Sequence, residues 1–324
     1  MQEFIVRRLL AIVPLLIGIT FITYLIMDMA PVDPLSIYID PTLGGTLSSE
    51  ERDILRKNMG LDKPVFTRYV LWLGRAIRGD LGYSFLSNRP VTTEIRERIG
   101  NTLLLTVTSL IISLVLGVLI GVYSALNRYK FSDYIISVLA FIGVSMPTFW
   151  FGMMMILIFT GKLGWLPSVG MTGIVPAAGF WGRVIDVIKH LIMPSLVLSL
   201  TSVASWTRYQ RSSMLEVLDQ DYIRTARSKG VPEKLVVFDH ALRNAVLPII
   251  TLLGMSLSNL IGGAFIVESI FGWPGMGRLG VTAIFTGDYP VVMGVTLFSS
   301  LLVVGGNLLA DVLYGIVDPR IRVQ

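Results

Sequence analysis

The chain has no cysteine. That absence excludes disulfides, thiolate-held metals, iron–sulfur clusters and a cysteine nucleophile. Histidine is nearly as scarce, with only His190 and His240, and the loop charges put the two on opposite sides of a membrane. They therefore cannot share a metal or form one acid–base pair, and each reads as a helix-end or interface residue. No G-x-x-x-x-G-K-[ST] string exists, and the one Gly-Lys pair, Gly161-Lys162, is followed by Leu163. Without that phosphate cradle the chain is not expected to hydrolyse ATP alone. The single G-x-G-x-x-G string, Gly275 to Gly280, would need a preceding strand to bind a dinucleotide. It comes after an apolar run and reads as a tight external turn. Charge is also sparse, at 15% of residues against about a quarter in ordinary soluble domains.

What fills the chain instead is apolar: 53% hydrophobic residues and a mean hydropathy of +0.70. A helix crosses about 30 Å of hydrocarbon in roughly 17 to 25 residues, and six stretches qualify, 9–27, 102–123, 134–158, 191–207, 248–267 and 291–310. None of them contains Asp, Glu, Lys or Arg. The fold class expected is all-α integral membrane, one transmembrane domain over residues 1–324 with about six transmembrane helices. The first stretch comes after Arg7 and Arg8 but is too long for a signal-peptide core. Asp28-Met29-Ala30-Pro31 offers it no small-residue cleavage site, so a retained helix is expected.

Net charge is +5, a surplus that in a membrane protein sets topology and gives no reason to invoke nucleic acid. With the amino terminus inside, thirteen Lys and Arg fall in the cytoplasm, among them Arg128, Lys130, Arg208, Arg211 and Arg243, while the two short external loops hold only Lys162, Arg183, Lys189 and Arg278. Both termini are therefore expected to be cytoplasmic. Residues 30–101 form the one long external segment, and helix signals recur in it. A capping box at Ser48-Ser49-Glu50-Glu51 opens a helix towards Met59, a second comes after Pro64 and stops at Gly79, and a third short one starts at Pro90 with Val91, Ile95 and Ile99 on one face. This layer serves either as a brace or as a docking surface.

Proton-coupled carriers keep an ionisable side chain near mid-membrane; these spans have none. Glu268 and Asp311 lie just beyond span ends, where water or headgroups are expected to reach them, so any driving energy should arrive through a cytoplasmic partner. Gly117-x-x-x-Gly121 reads as a packing motif. Pro147 and Pro194 each free a carbonyl inside or at the edge of a span. Ser145, Met146 and Trp150 near Pro147, with Asn259 in the fifth stretch, are the candidates for lining a translocation path.

The longest internal loop is 208–247, read as helix, glycine, helix. Met214, Leu218, Tyr222, Thr225 and Ala226 fall near one face; Gly230 stops the first helix, Pro232 starts the second, and Leu235, Phe238 and Leu242 resume the period. Arg224, Arg227, Lys229 and Lys234 suit either a protein partner or an anionic membrane surface, and composition does not separate the two.

Asp221-Tyr222-Ile223-Arg224-Thr225-Ala226-Arg227-Ser228-Lys229-Gly230, with His240 to Pro248 after it, resembles the cytoplasmic loop of dipeptide/oligopeptide/nickel ABC importer permeases. The general E-A-A-x-x-x-G pattern is met only at Ala226 and Gly230, a departure typical of the peptide branch. Gly79 to Ser84, Arg89-Pro90-Val91, Phe271 to Leu279, Asp288 to Val292 and Asp318 to Arg322 extend the likeness to the first (B-type) permease of the pair. The resemblance implies a type I ABC importer architecture in a bacterial or archaeal cytoplasmic membrane. Its implied partners are a second homologous permease, two ATP-binding subunits that hold ATP and magnesium, an extracytoplasmic solute-binding protein, a peptide substrate and membrane lipid. No cofactor is implied for this chain. The ATPase-coupling residues it implies are Tyr222, Arg224, Thr225, Ala226, Arg227, Lys229, Gly230 and Pro232. Nickel chelates, glutathione and other small solutes are cargoes of the same family; a stand-alone carrier or a structural subunit is the rival from other classes.

Overall fold

Long apolar runs with few breakers make long helices, and the punctuation falls where proline or glycine demands it. The computed structural model describes residues 2–30, 49–58, 62–175 and 178–317. In chain order the helices are α1 (Gln2–Met29), α2 (Ser49–Asn58), α3 (Val65–Ala76), α4 (Val91–Leu126), α5 (Phe131–Ser145), α6 (Thr148–Met155), α7 (Gly179–Leu218), α8 (Asp221–Ser228), α9 (Glu233–Leu235), α10 (Arg243–Ala245), α11 (Leu247–Ile270), α12 (Met276–Thr286) and α13 (Tyr289–Val317). Wider π-helical turns extend α6 over Ile156–Lys162 and join α9 to α10 over Val236–Leu242. Among the described residues the only strand-like pairing is one bridge between Tyr83 and Pro90.

Four helical stretches are long and apolar enough to cross a membrane, Leu10–Met29, Val91–Leu126, Gly179–Leu218 and Tyr289–Leu308, and the bent pair Phe131–Ser145 with Thr148–Lys162 makes a fifth. The predicted stretch 248–267 lies within α11, 24 residues long; several of its side chains lie outside the described residues, so its place as a sixth span rests on the sequence.

Two boundaries differ from expectation. The short helix expected from Pro90 is the start of α4, which runs unbroken for 36 residues. The lone Gly100 costs about 1 kcal/mol relative to alanine, too little to break a helix of that length. The stretch 134–158 is not one straight span, because α5 and α6 meet at 107°. Pro147 drives the preceding Met146 into extended backbone, at φ −79° and ψ 125°, as the clash with a following proline ring requires. Conversely, α7 runs through Pro194, as a membrane helix packed among neighbours tolerates.

The chain divides into two compact units. The first comprises Met1–Thr102 and Pro274–Leu302. In it Tyr69 and Trp72 of α3 are buried, and the Tyr69 hydroxyl lies 3.0 Å from Thr20 Oγ1 of α1. Arg68 pairs with Asp28 alongside. Gly275 caps α12, with Gly277 and Gly280 buried inside that helix. The glycine string is therefore a helix start rather than the external turn expected from sequence, because the tight turn comes earlier, at Gly272 with φ +56°.

The second unit comprises Leu103–Trp273 and Val303–Gln324. Its core joins Leu105, Met155, Met193, Val197, Ala264, Val267, Phe271 and Trp273. Glu268 is wholly buried, contrary to the expectation of water access, because α11 continues to Ile270 and the turn after it folds Phe271 and Trp273 inward. His190 is buried within α7, not at its end, with Nδ1 2.8 Å from the Asp186 carbonyl.

Candidate functional site

The segment after α7 is shorter than the 208–247 loop expected, since α7 keeps Arg208 to Leu218 in helix. Beyond Leu218 the chain forms an elbow: α8, a turn at Gly230, then the α9–α10 arm. The turn is a Schellman motif, in which Val231 N–H donates to the Ala226 carbonyl at 3.3 Å and Gly230 N–H to the Arg227 carbonyl at 3.0 Å. Gly230 sits at φ +75°, the left-handed region glycine adopts without a Cβ penalty. A Cβ there would meet nothing within 4 Å, so conformation, not space, is what requires glycine.

The buried side of the elbow is apolar. Ile223 and Ala226 pack with Val122 and Ala125 of α4, Met214 of α7, and Val236, Val237, Ala241 and Ala245 of the second arm. Tyr222 and Thr225 are not on this face, although the sequence period puts them there: Tyr222 is 44% exposed and Thr225 is exposed. The helix breaks between Leu218 and Asp221, so a period carried across that break assigns the wrong side. Leu235 and Phe238 also turn outward, at 47% and 49% exposure. The π-helical turns over Val236–Leu242 take more residues per turn than an α-helix and bring Val236, Val237 and Ala241 inward instead.

Tyr222, Arg224, Thr225, Arg227 and Lys229 are thus exposed on the first arm and its turn, and Leu235 and Phe238 on the second, with Ala226 and Pro232 serving the frame. Arg227 spans the turn to Glu233, with Nη2 2.7 Å from Oε1 and Nε 3.1 Å from Oε2. That hydrogen bonding holds the Glu233 carboxyl below its ordinary range. Asn244 Nδ2 donates to the Tyr222 hydroxyl at 3.1 Å and ties the two arms together.

Of the residues expected along a path, Ser145 and Trp150 are exposed and Met146 half-buried at the α5–α6 break. The Asn259 side chain lies outside the described residues, as does that of Asp311. None of the three at the break lines the apolar groove of about 440 Å³ that runs between α4, α5 and α7 past Leu119, Ile136, Ala140, Leu200 and Ala204. Gly117 and Gly121 do bring α4 against α7: a Cβ on either would stand 2.8 Å from Trp206 Cβ and 2.6 Å from Gln210 Cβ respectively.

Sequence reasoning missed Asp133, which pairs with Arg211. A signal existed, since Asp133 is the sole carboxylate between Glu97 and Asp186.

Residues 117–323 match the family described as binding-protein-dependent transport system inner membrane component. Residues 1–106 match the N-terminal family of such membrane components. The chain is 45% identical over 323 residues to the oligopeptide transport system permease protein AppB of Bacillus subtilis, covering 99% of this chain and all of that one. It is 37% identical over 322 residues to the glutathione transport system permease protein GsiC of Escherichia coli K12, covering 99% of each.

Proposed function

This chain belongs to the family of binding-protein-dependent transport system inner membrane components, type I ABC permeases, and on that premise we propose that it is the permease subunit of an ATP-driven importer of di- and oligopeptides. The observation that carries the reading is the elbow around Gly230, whose inner face is locked into α4 and α7 while its outer face presents cations and exposed apolar side chains. In this account one of two ATPase subunits, which hold ATP and magnesium, docks on Tyr222, Arg224, Thr225, Arg227 and Lys229. Ala226, Gly230 and Pro232 fix the shape of that surface. Closure of the ATPase pair on ATP moves the elbow, and a second homologous permease supplies the other half of the pathway. Each conformational state must bind these partners differently for ATP to drive the cycle.

The same reading assigns the remaining parts. Both termini face the cytoplasm, a solute-binding protein delivers cargo to the outer side, and Ser145, Met146, Trp150 and Asn259 contribute to the path. The 45% identity to an oligopeptide permease against 37% to a glutathione permease favours peptides as cargo, and glutathione is itself a small peptide.

Affinity purification of the tagged chain from its host tests the assignment. The expected result is retention of two ATPase subunits and a second permease through detergent washing. A stand-alone carrier or a structural subunit would bring down no ATPase.

A further inference from the structure

Asp133 lies in the first turn of α5, is 3% exposed, and accepts two hydrogen bonds on each oxygen. Oδ1 takes Ser124 Oγ at 2.5 Å and Arg211 Nε at 2.7 Å; Oδ2 takes Tyr129 N–H at 3.1 Å and Arg211 Nη2 at 2.8 Å. Tyr129 is held at φ +66°, a left-handed conformation that a tyrosine rarely adopts. One carboxylate thus gathers the end of α4, the turn to α5, and α7. A bidentate guanidinium fixes orientation as well as distance, so the three segments are joined in one geometry.

The partners of Asp133 sit where the elbow is anchored. Ser124 lies between Val122 and Ala125, and Arg211 lies one turn before Met214; those three apolar residues belong to the cluster that holds Ile223 and Ala226. Among the described residues, no member of that cluster comes from α5. A displacement of the elbow thus reaches α4 and α7 through apolar packing, and Asp133 adds a polar tie from both to the start of α5, whose far end also packs on α7 where Gly143 meets Ala204. At its far end α5 gives way to the break at Met146 and Pro147.

We propose that Asp133 and Arg211 are positioning residues for transport, a clamp that makes α5 and the break before α6 follow the elbow. The inference rests on the elbow being the ATPase contact. A merely structural ion pair would hold the hairpin in place but leave the ratio of transport to hydrolysis untouched.

The test uses the full complex in proteoliposomes, with both permeases, both ATPases and the solute-binding protein, and reads peptide taken up per ATP hydrolysed. Asp133→Asn and Arg211→Gln should each retain the ATPases and lower that ratio about fivefold, within the range by which coupling residues act. The double variant should fall no further than either single one, because the two residues act as a pair. Scoring per assembled complex removes any loss of abundance. A second readout is independent of folding yield: environment-sensitive dyes on Val144→Cys at the end of α5 and on Ser228→Cys at the elbow. In the clamp variants the ATP-dependent change at 144 should shrink severalfold while that at 228 persists. An unchanged ratio with an intact response at 144 overturns the clamp. Gly230→Val in the same preparation separates the two levels: if it abolishes ATPase association while the clamp variants couple normally, the clamp fails and the elbow stands. If Gly230→Val has no effect, the elbow reading fails and the clamp falls with it.

Discussion

Gly121 of α4 meets Gln210 of α7 so closely that a Cβ added to the glycine would stand 2.6 Å from Gln210 Cβ and 2.9 Å from the Thr207 carbonyl oxygen. Part of that contact is backbone, so no side-chain rotation relieves it. In lipid, close approach of this kind supplies the packing that the hydrophobic effect does not.

Gly121→Leu should therefore separate α4 from α7 and destabilise the protein by about 1 to 3 kcal/mol or more, the cost of overpacking. Thermal unfolding in detergent measures it. Gly18→Ala is the control, since a Cβ at Gly18 meets nothing within 4 Å. Equal melting of both variants would refute the packing role.

Asp288 should hold the 84–86 turn. Its carboxylate accepts from Ser84 Oγ at 2.5 Å, Phe85 N–H at 3.1 Å and Leu86 N–H at 3.3 Å. Asp288→Ala leaves these donors without that acceptor, at about 1 to 3 kcal/mol. Protease should then cut near residues 84–89 faster in the variant than in the native protein. Identical cleavage rates would show that the turn holds itself.

The natural absence of cysteine gives a clean background for topology. Ser87→Cys, in the segment 30–101 that loop charge assigns outside, and Ser228→Cys, in the elbow, are both at exposed positions. An impermeant thiol reagent applied to intact cells should label the first only. Labelling of both, or of the second alone, would reverse the orientation derived from loop charge.

Four of the spans, and a fifth in bent form, are legible in the sequence because an apolar run long enough to cross lipid leaves few alternatives, and Gly230 is legible because a helix stop before Pro232 has a recognisable chemistry. Faces are harder. Extending one period across the break at Asp219 and Gln220 places Tyr222 and Thr225 inward, on the wrong side. Leu235 and Phe238 are misplaced in the same way, because the π-helical turns over Val236–Leu242 carry no residue signature. Asp133 is hidden because its partner, Arg211, is 78 positions away, and a pairing at that distance is visible only once α5 and α7 are side by side.

The most direct test of ATP-driven coupling through the elbow is accumulation of a labelled oligopeptide in proteoliposomes holding the full complex, with this chain native, Gly230→Asn or Gly230→Val. Asparagine tolerates the left-handed backbone at φ +75°, whereas a β-branched residue is strained there by about 1 to 2 kcal/mol or more. The account predicts ATP-dependent uptake that needs the ATPase subunits, survives Gly230→Asn, and drops about tenfold in Gly230→Val at normal abundance of the chain. Full uptake by Gly230→Val, or ATP-driven uptake with the ATPase subunits left out, would contradict it.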